Sequence, residues 1–295
     1  MSYVVCSFVA LIGMAGSLAL HATQATPAAG VGARSTFASA SIWDDGLSEM
    51  CFYDAELELY AQTRRYTRAH LLNREWFDPA AGVKTDRTGD PTAVAVMKLN
   101  IAEEAPTENY NYRYLTTLFA ERDSLLPRKL AASSQEWCGN AYQHLRWSEA
   151  GLHFRSFSYF EGEAEHDVRM PVEVWPFETV FLLGREYVAT GRVPTVTRML
   201  APVRRLRGGP KELGAVSFSR TEPQRLSTPA GVYDAVEVVM EASGVAYRLW
   251  FDAATPHLLL KFDFPGERGV LRHHERRAYW DRAWRSGFHE PGQAP

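Results

Sequence analysis

The sequence lacks an excess of charge of either sign. Its 32 basic and 35 acidic residues give a net charge of -3 over 295 residues, and only 5 of the basic residues are lysine. The arginines are scattered along the chain, whereas nucleic acids and anionic membrane surfaces are bound by clustered positive charge. Neither is therefore expected as a partner. With 46% hydrophobic and 23% charged residues, the chain is also neither disordered nor fibrous.

The common enzyme motifs are missing as well. The sequence contains no G-x-x-x-x-G-K-[ST] loop, no G-x-G-x-x-G turn after a strand, no H-E-x-x-H motif and no G-x-S-x-G motif. These absences exclude the enzyme classes that such motifs define, while a convergent active site stays open. No cofactor and no metal are predicted, because the acidic residues 161–167 lack the Asp/Asn/Gly spacing of a calcium loop.

The first apolar run predicts an export signal. Residues 4–20 contain no charge, and the first basic residue is Arg34. The run is short for a membrane-spanning helix and is followed by small residues that suit signal-peptidase cleavage. We therefore expect residues 1–33 to be a signal peptide and flexible exit, and the mature protein to lie in the periplasm or cell envelope. An uncleaved membrane anchor is the alternative, because no basic residue precedes the run.

Period-two alternation of apolar and polar residues predicts a β-rich domain after residue 41. The predicted strands cover residues 55–61, 94–101, 110–119, 151–160, 231–240, 246–251 and 258–264. Turn signals separate these runs and there is no internal repeat. We therefore predict an α+β, β-rich fold with one large, curved antiparallel sheet, half-barrel-like, and a few short helices packed on it. The single domain is expected to span residues 41–284, followed by a disordered tail at 285–295.

Two helices are predicted to pack on this sheet. The first covers residues 134–147, where a serine is a candidate N-cap and apolar residues recur at helical spacing. The second begins at Pro176, has two to three turns and ends near Gly184. Its apolar face consists of Phe177, Val180 and Phe181. We expect this face to pack against the apolar side of the predicted strands at 231–240, 246–251 and 258–264, because it is the nearest amphipathic helix to them.

Cys51 and Cys138 are the two cysteines outside the predicted signal. An exported chain with two cysteines can join them in a disulfide, and two separate thiols are the alternative. Cys138 is also the one candidate nucleophile. His144, its nearest histidine in sequence, points to another face in a helix and lies about 20 Å away in a strand. An activating base would have to come from elsewhere, such as His70, His153 or His273.

Aromatic residues make up 12% of the chain and are concentrated in the predicted strands. Such residues usually form plain core, but on a curved sheet they can also line an apolar groove on the concave face. The predicted ligand-binding residues are Tyr112, Tyr114, Phe157, Tyr159 and Trp250.

Four segments, at residues 43–50, 109–119, 133–145 and 154–167, resemble a family of exported bacterial proteins. Many members are lipoproteins, and some carry the label septum formation inhibitor Maf. The true Maf nucleotide pyrophosphatases are cytoplasmic α/β proteins, and this chain has neither feature. The resemblance therefore implies export and no established activity. Residues 249–264 are also similar to the closing strands of half-barrel periplasmic lipoprotein carriers.

The leading hypothesis from the sequence is a non-enzymatic cell-envelope protein that binds an apolar or lipid-like ligand in a curved-sheet groove. Membrane contact is expected only through an uncleaved N-terminal segment, and the oligomeric state is left open. Two alternatives remain: an exported hydrolase or transpeptidase that uses Cys138, and a structural or interaction module whose sheet is filled by side chains.

Overall fold

The computed structural model of the protein describes residues 34–87, 89–203 and 208–281. The predicted signal peptide at 1–33 and the predicted tail at 285–295 lie outside the described residues. The helices are α1 (Thr36–Ser39) and α2 (Val180–Thr190), with 3₁₀ turns at Ser41–Asp44 and Phe177–Thr179. The strands are β1 (Ser48–Leu59), β2 (Gln62–Asp78), β3 (Val83–Lys84), β4 (Val94–Ala105), β5 (Tyr112–Glu121), β6 (Pro127–Glu136), β7 (Gly139–Ser148), β8 (Gly151–Ser158), β9 (His166–Met170), β10 (Val174–Trp175), β11 (Arg198–Leu200), β12 (Glu212–Arg220), β13 (Gln224–Thr228), β14 (Gly231–Ala242), β15 (Val245–Asp252), β16 (Leu259–Phe264) and β17 (Glu267–Arg277).

These strands form one 17-stranded, barrel-like sheet that is nearly closed. From β9 the strands follow in the order β8, β7, β6, β5, β4, β2, β1, β17, β16, β15 and β14, each antiparallel to its neighbour. Strands β12 and β13 both pair with β14, and β10 joins β11 in parallel. The predicted β-rich class and large curved sheet are confirmed, and the curvature goes further than a half-barrel.

Period-two alternation decides which side chains fill the interior, because successive residues of a strand point to opposite faces. In β15, Tyr247, Leu249 and Phe251 are buried while Arg248 is exposed. In β16, Phe262 is buried and Lys261 is only half-buried. Residues 231–264 therefore form three consecutive antiparallel strands with one apolar face, as predicted.

The helix predicted at residues 134–147 is wrong. These residues form the end of β6, a two-residue turn and most of β7, in which Glu136 pairs with Gly139. Leu145 and Trp147 are both buried and lie two positions apart, which is the spacing of one face of a strand. The strand period therefore outweighs the helical spacing.

The second predicted helix is present, but it lies inside the curve of the sheet and is longer than expected. It continues past Gly184, where a Cβ atom would overlap the Phe251 ring, and ends at Gly191 with φ of 73°. A glycine is suited to this end because the left-handed conformation costs it little. Phe177 packs 5.3 Å from Phe264 between ring centroids, so the predicted apolar face does cover the late strands.

The interior also contains buried charge. Arg68 pairs with Glu267 at 2.6 Å and lies 3.7 Å from Glu103. Its Nε donates to His70 Nε2 at 2.9 Å, so this imidazole acts as an acceptor. Burial, together with the nearby guanidinium charges, lowers the pKa of His70 well below its usual value. The neutral imidazole is therefore the form that the interior accommodates.

A buried carboxyl at the start of the central helix makes stability depend on pH. Glu178 is 4% exposed and its Oε1 accepts from the Val203 amide at 3.0 Å, while its Oε2 has no hydrogen-bond partner among the described residues. Burial raises its pKa to about 7, well above its value in an unfolded chain. The native protein therefore holds this proton at pH values where the unfolded chain has lost it.

We expect the contribution of Glu178 to stability to be complete below about pH 4.5 and to fall as pH rises to about 7, by roughly 3 kcal/mol in all. Glu178→Gln imitates the protonated acid, so its stability relative to the native protein should rise across this interval. Urea unfolding of both proteins from about pH 5 to 8 measures the difference and cancels the other titrating groups. Parallel pH profiles would contradict the assignment.

Candidate functional site

Aromatic side chains collect at one end of the barrel-like sheet. Strands β1, β4, β6 and β8 run in the same direction, so the connections that follow them lie at the same end. These connections present Tyr60, Tyr110, Trp137 and Tyr159, and Tyr112 follows at the start of β5. We call these five residues the aromatic rim. Three of them are largely exposed: Tyr60 by 62%, Trp137 by 84% and Tyr159 by 48%.

The rings of the rim form a stacked series. The Trp137 and Tyr110 centroids are 5.6 Å apart with 15° between the ring planes, and Tyr110 lies 5.6 Å from Tyr112. Tyr112 in turn stacks on Tyr114 at 6.2 Å and 16°. Stacked pairs of this kind contribute roughly 0.5–1.5 kcal/mol beyond the area they bury. The Trp137 indole is thus held in place on one face while its other face remains open.

Contacts at hydrogen-bond distance between hydroxyl groups, and between a hydroxyl and a thiol, connect the residues of the rim. The Tyr60 and Tyr112 hydroxyl oxygens are 2.6 Å apart, and the Tyr110 hydroxyl oxygen is 2.8 Å from Cys138 Sγ. The hydrogen bond with Cys138 raises the pKa of Tyr110 to about 12. Burial, with the hydrogen bond to Tyr60, raises the pKa of Tyr112 further. These phenols are therefore neutral at ordinary pH, so they donate and accept hydrogen bonds without adding charge.

Local backbone geometry explains two features of the rim. Tyr60 and Ala61 both have positive φ, 53° and 57°, as a tight two-residue hairpin turn requires. At the neighbouring turn, a Cβ on Gly139 would overlap the Tyr159 ring. Glycine at this position therefore lets Tyr159 lie flat against the β6–β7 hairpin, next to Cys138.

Two cavities adjoin the rim. The outer one has a volume of 460 Å³ and combines the two stacked rings with polar side chains. Its lining residues are Tyr110, Asn111, Arg113, Gln135, Glu136, Trp137 and Asn140. The inner one, beneath Tyr112 and Tyr114, has a volume of only 70 Å³. The rim therefore offers a ligand far more room outside the sheet than inside it.

The predicted ligand-binding residues divide into two groups. Tyr112 and Tyr114 share the inner face of β5, and Tyr159 stands at the same end of the sheet. Phe157 is on the outer face of β8, capped by the Arg155 guanidinium 5.4 Å from its ring centroid. Trp250 is on the outer face of β15, where Lys261 Nζ lies 4.3 Å from its ring centroid. The predicted single concave groove is therefore wrong for these last two.

Sequence reasoning missed Tyr60, Tyr110 and Trp137 as members of the site. The helical spacing places Trp137 in a helix, although the glycine at 139, between two alternating runs, is compatible with a hairpin turn at 137–138. Tyr60 was read as one more strand residue. The rim arises because the register of β1, β2, β4, β5 and β6 brings separate turns to one end.

Cys51 and Cys138 are free thiols, so of the two alternatives the separate thiols are present and the disulfide is not. Cys51 is fully buried near the start of β1, beside His70 on β2, whereas Cys138 is exposed on the rim. Burial and the neighbouring Glu49 carboxylate raise the pKa of the Cys51 thiol, which keeps it protonated. Cys138 contacts a phenol, and no histidine in the described part of the chain hydrogen-bonds to its sulfur.

Two further findings bear on the nature of the site. Within residues 34–87, 89–203 and 208–281, no three His, Cys, Asp or Glu side chains are grouped as a metal would require. Among the helices of the same described residues, none is both long and apolar enough to cross a membrane.

No protein-family model matches the chain, and no curated protein matches it. A solved structure similar to it is a beta-barrel-like protein of the domain of unknown function DUF1849 from Brucella abortus. The TM-score is 0.45 at 10% identity, and the alignment covers 78% of this chain and 97% of that chain. The barrel-like description of this chain rests on its own strand pairing, which joins β1 to β17. Its resemblance to exported Maf-labelled proteins and to lipoprotein carriers stays a prediction.

Proposed function

We propose that this chain is a non-enzymatic binding protein of the cell envelope that holds an amphipathic, lipid-like molecule on its aromatic rim. The observation behind the proposal is Trp137, whose indole is 84% exposed and yet stacked on Tyr110. An indole kept in water in a fixed orientation has a large apolar face to offer to a ligand. Tyr60 and Tyr159 extend this apolar surface to the neighbouring turns.

The outer cavity beside Trp137 adds the polar half of the site. Asn111, Gln135 and Asn140 carry uncharged hydrogen-bonding groups, and Arg113 carries a positive charge. The Arg113 guanidinium pairs with Glu104 at 3.3 Å, and because this pair is exposed to solvent it is weak enough for a ligand carboxylate to compete for the guanidinium. A molecule with an apolar chain on the rings and a carboxylate near Arg113 fits this arrangement.

Because side chains fill the interior, a site on the rim is favoured and a groove within the sheet is not. Rings from α2 and the late strands pack against one another there, with Phe177 5.1 Å from Tyr247 and Phe181 6.2 Å from Phe264. The same packing favours the second candidate, an interaction module without a small ligand. The apolar run at residues 4–20 and the resemblance to exported bacterial proteins support the location in the envelope.

The test is equilibrium binding of 11-(dansylamino)undecanoic acid, followed by dansyl fluorescence. We expect Trp137→Ala to weaken binding by about 10-fold or more, as for an aromatic hot spot. Trp280→Ala is the matched control, because Trp280 is also exposed, by 53%, but lies beyond β17 and away from the rim. Decanoic acid should compete better than decanol if Arg113 receives the carboxylate. Equal affinity of the two tryptophan variants, or no binding at all, would favour the interaction module.

A further inference from the structure

The outer face of β5, β6, β7 and β8 carries a row of exposed apolar side chains. Leu115, Tyr142 and Phe157 are 46%, 41% and 37% exposed. The register places them in one line across the four strands, with Ser133 between Leu115 and Tyr142. Large apolar side chains that are exposed singly are ordinary, but three in one line, with Tyr142 and Phe157 directly paired, are typical of an interaction surface. We call this line the apolar row.

A cluster of basic side chains lies on the same face, directly beside the apolar row. Its members are Lys129, His144, Arg146, His153, Arg155 and Arg169. Within their strands they lie two or four positions away from the apolar row. The nearer ones therefore stand about 7 Å from it. Well separated in sequence, these residues meet only through the strand register. We call them the basic cluster.

Side chains of the basic cluster contact side chains of the apolar row. The Arg155 guanidinium lies 5.4 Å from the Phe157 ring centroid, and His144 stacks on Tyr142 at 6.4 Å and 12°. Positive charge and exposed rings therefore form one amphipathic surface rather than two patches.

The positive charge of the cluster is only partly balanced. Four members carry a fixed charge, and among the described residues the carboxylate paired with the cluster is Asp167, which contacts His153 at 2.5 Å and Arg155 at 3.4 Å. Lys129 donates to the Gly82 carbonyl at 2.9 Å and Arg146 to the Pro79 carbonyl at 2.8 Å. Neutral carbonyls orient these side chains without cancelling their charge. Burial, followed by the charges of Lys129 and Arg146, lowers the pKa of His144, in keeping with an excess of positive charge.

We propose that this outer face docks onto an anionic phospholipid surface, with the basic cluster on the lipid phosphates and the apolar row at the boundary of the acyl chains. The two features match the two parts of a lipid, headgroup and acyl chain, and their contributions to binding at a membrane surface add to each other. Charge complementarity selects the anionic lipid. The site is distinct from the aromatic rim and does not depend on a ligand there.

The test is co-sedimentation of the full chain with phosphatidylcholine vesicles and with vesicles that contain about 30% phosphatidylglycerol. The measured quantity is the ratio of the two partition coefficients. Because residues 4–20 contain no charge, their own insertion should be similar in both vesicles and should cancel in the ratio. We expect the ratio to exceed about 10 at low salt and to fall as salt is added.

Variants then locate the surface. Each charge near the surface is worth about 5-fold in binding. The double variant Arg146→Gln/Arg155→Gln should therefore lower the ratio by up to about 25-fold, and to near one if the unmodified ratio is smaller than that. Phe157→Ser should weaken binding to the anionic vesicles and leave its salt dependence unchanged. The control Arg225→Gln/Arg248→Gln removes the same charge from β13 and β15, and should change the ratio by less than about 2-fold. Thermal unfolding confirms that each variant is folded.

A ratio near one for the unmodified chain would overturn the proposal. So would an equal loss of binding in the control pair, because the attraction would then be a property of overall charge. Displacement of the protein from anionic vesicles by inorganic phosphate at constant ionic strength would also count against it, since the cluster would then be a site for the free anion.

Discussion

Replacing Phe262 with aspartate is expected to lower the free energy of unfolding by at least about 3 kcal/mol. The ring is fully buried, 5.7 Å from Tyr53 and 5.3 Å from Phe264 between centroids. It also covers Gly269, where no other residue would leave it room. The new carboxylate would face Arg68, but this guanidinium is already paired with Glu267 at 2.6 Å. The variant therefore loses the packing of the ring and gains a charge that is poorly compensated.

Lys261→Asp is the matched control for that variant. Lys261 is the adjacent residue, but its side chain lies on the outer face over the Trp250 ring. Loss of this cation–π contact should cost less than about 1 kcal/mol. Urea midpoints of the two variants compare the faces of β16 directly, because a shift of register by one residue would exchange them. A larger loss for Lys261→Asp would mean that the two faces of the strand are assigned the wrong way round.

Replacing Glu49 with glutamine is expected to destabilise the protein by about 3–5 kcal/mol. Glu49 Oε1 is 2.6 Å from Arg185 Nη2, and the two side chains are only 2% and 4% exposed. The glutamine would keep one oxygen that accepts from the guanidinium of Arg185, beside the Pro256 carbonyl at 3.2 Å, but it would remove the counter-charge of this buried group. The attraction between the two partners then no longer offsets the cost of keeping the Arg185 charge out of water.

Two further variants test this interpretation. Glu49→Gln/Arg185→Met removes both charges and should recover most of the lost stability, which a double-mutant cycle measures. Glu212→Gln breaks the exposed pair between Glu212 and Arg198, 2.7 Å apart, and should cost less than about 1 kcal/mol. Equal losses in Glu49→Gln and the double variant would show that the buried charge of Arg185 is harmless on its own.

The strands could be predicted from the sequence because alternation is a local property. Residues 246–251 alternate in burial, so this strand and its buried face follow from the side chains alone, whereas the strand at 231–240 is apolar on both faces. Residues 134–147 satisfy two periods at once, and the hairpin prevails because its buried positions, such as Leu145 and Trp147, pack against other strands. Tertiary packing of this kind has no signature within the segment itself.

The candidate site was harder to predict because it is assembled by register. Tyr112 and Tyr114 follow from alternation within one strand, but Tyr60 and Trp137 join them only because separate hairpins end at the same level. The same holds for the basic cluster, whose residues look scattered in the sequence. A single sequence indicates which residues share a face of a strand far better than it indicates the register between neighbouring strands.

The pairing of β1 with β17 has a consequence for how the protein folds. The first strand of the described chain is hydrogen-bonded to the last, from Ser48 with Arg277 to Leu57 with Glu267. Contacts so distant in sequence are slow to form, because a long loop must close before they give any stabilisation. During synthesis β1 has β2 on one side, while its other edge stays unpaired until the last strand has been made. That exposed edge is the point at which an incomplete chain is most open to pairing with a neighbour.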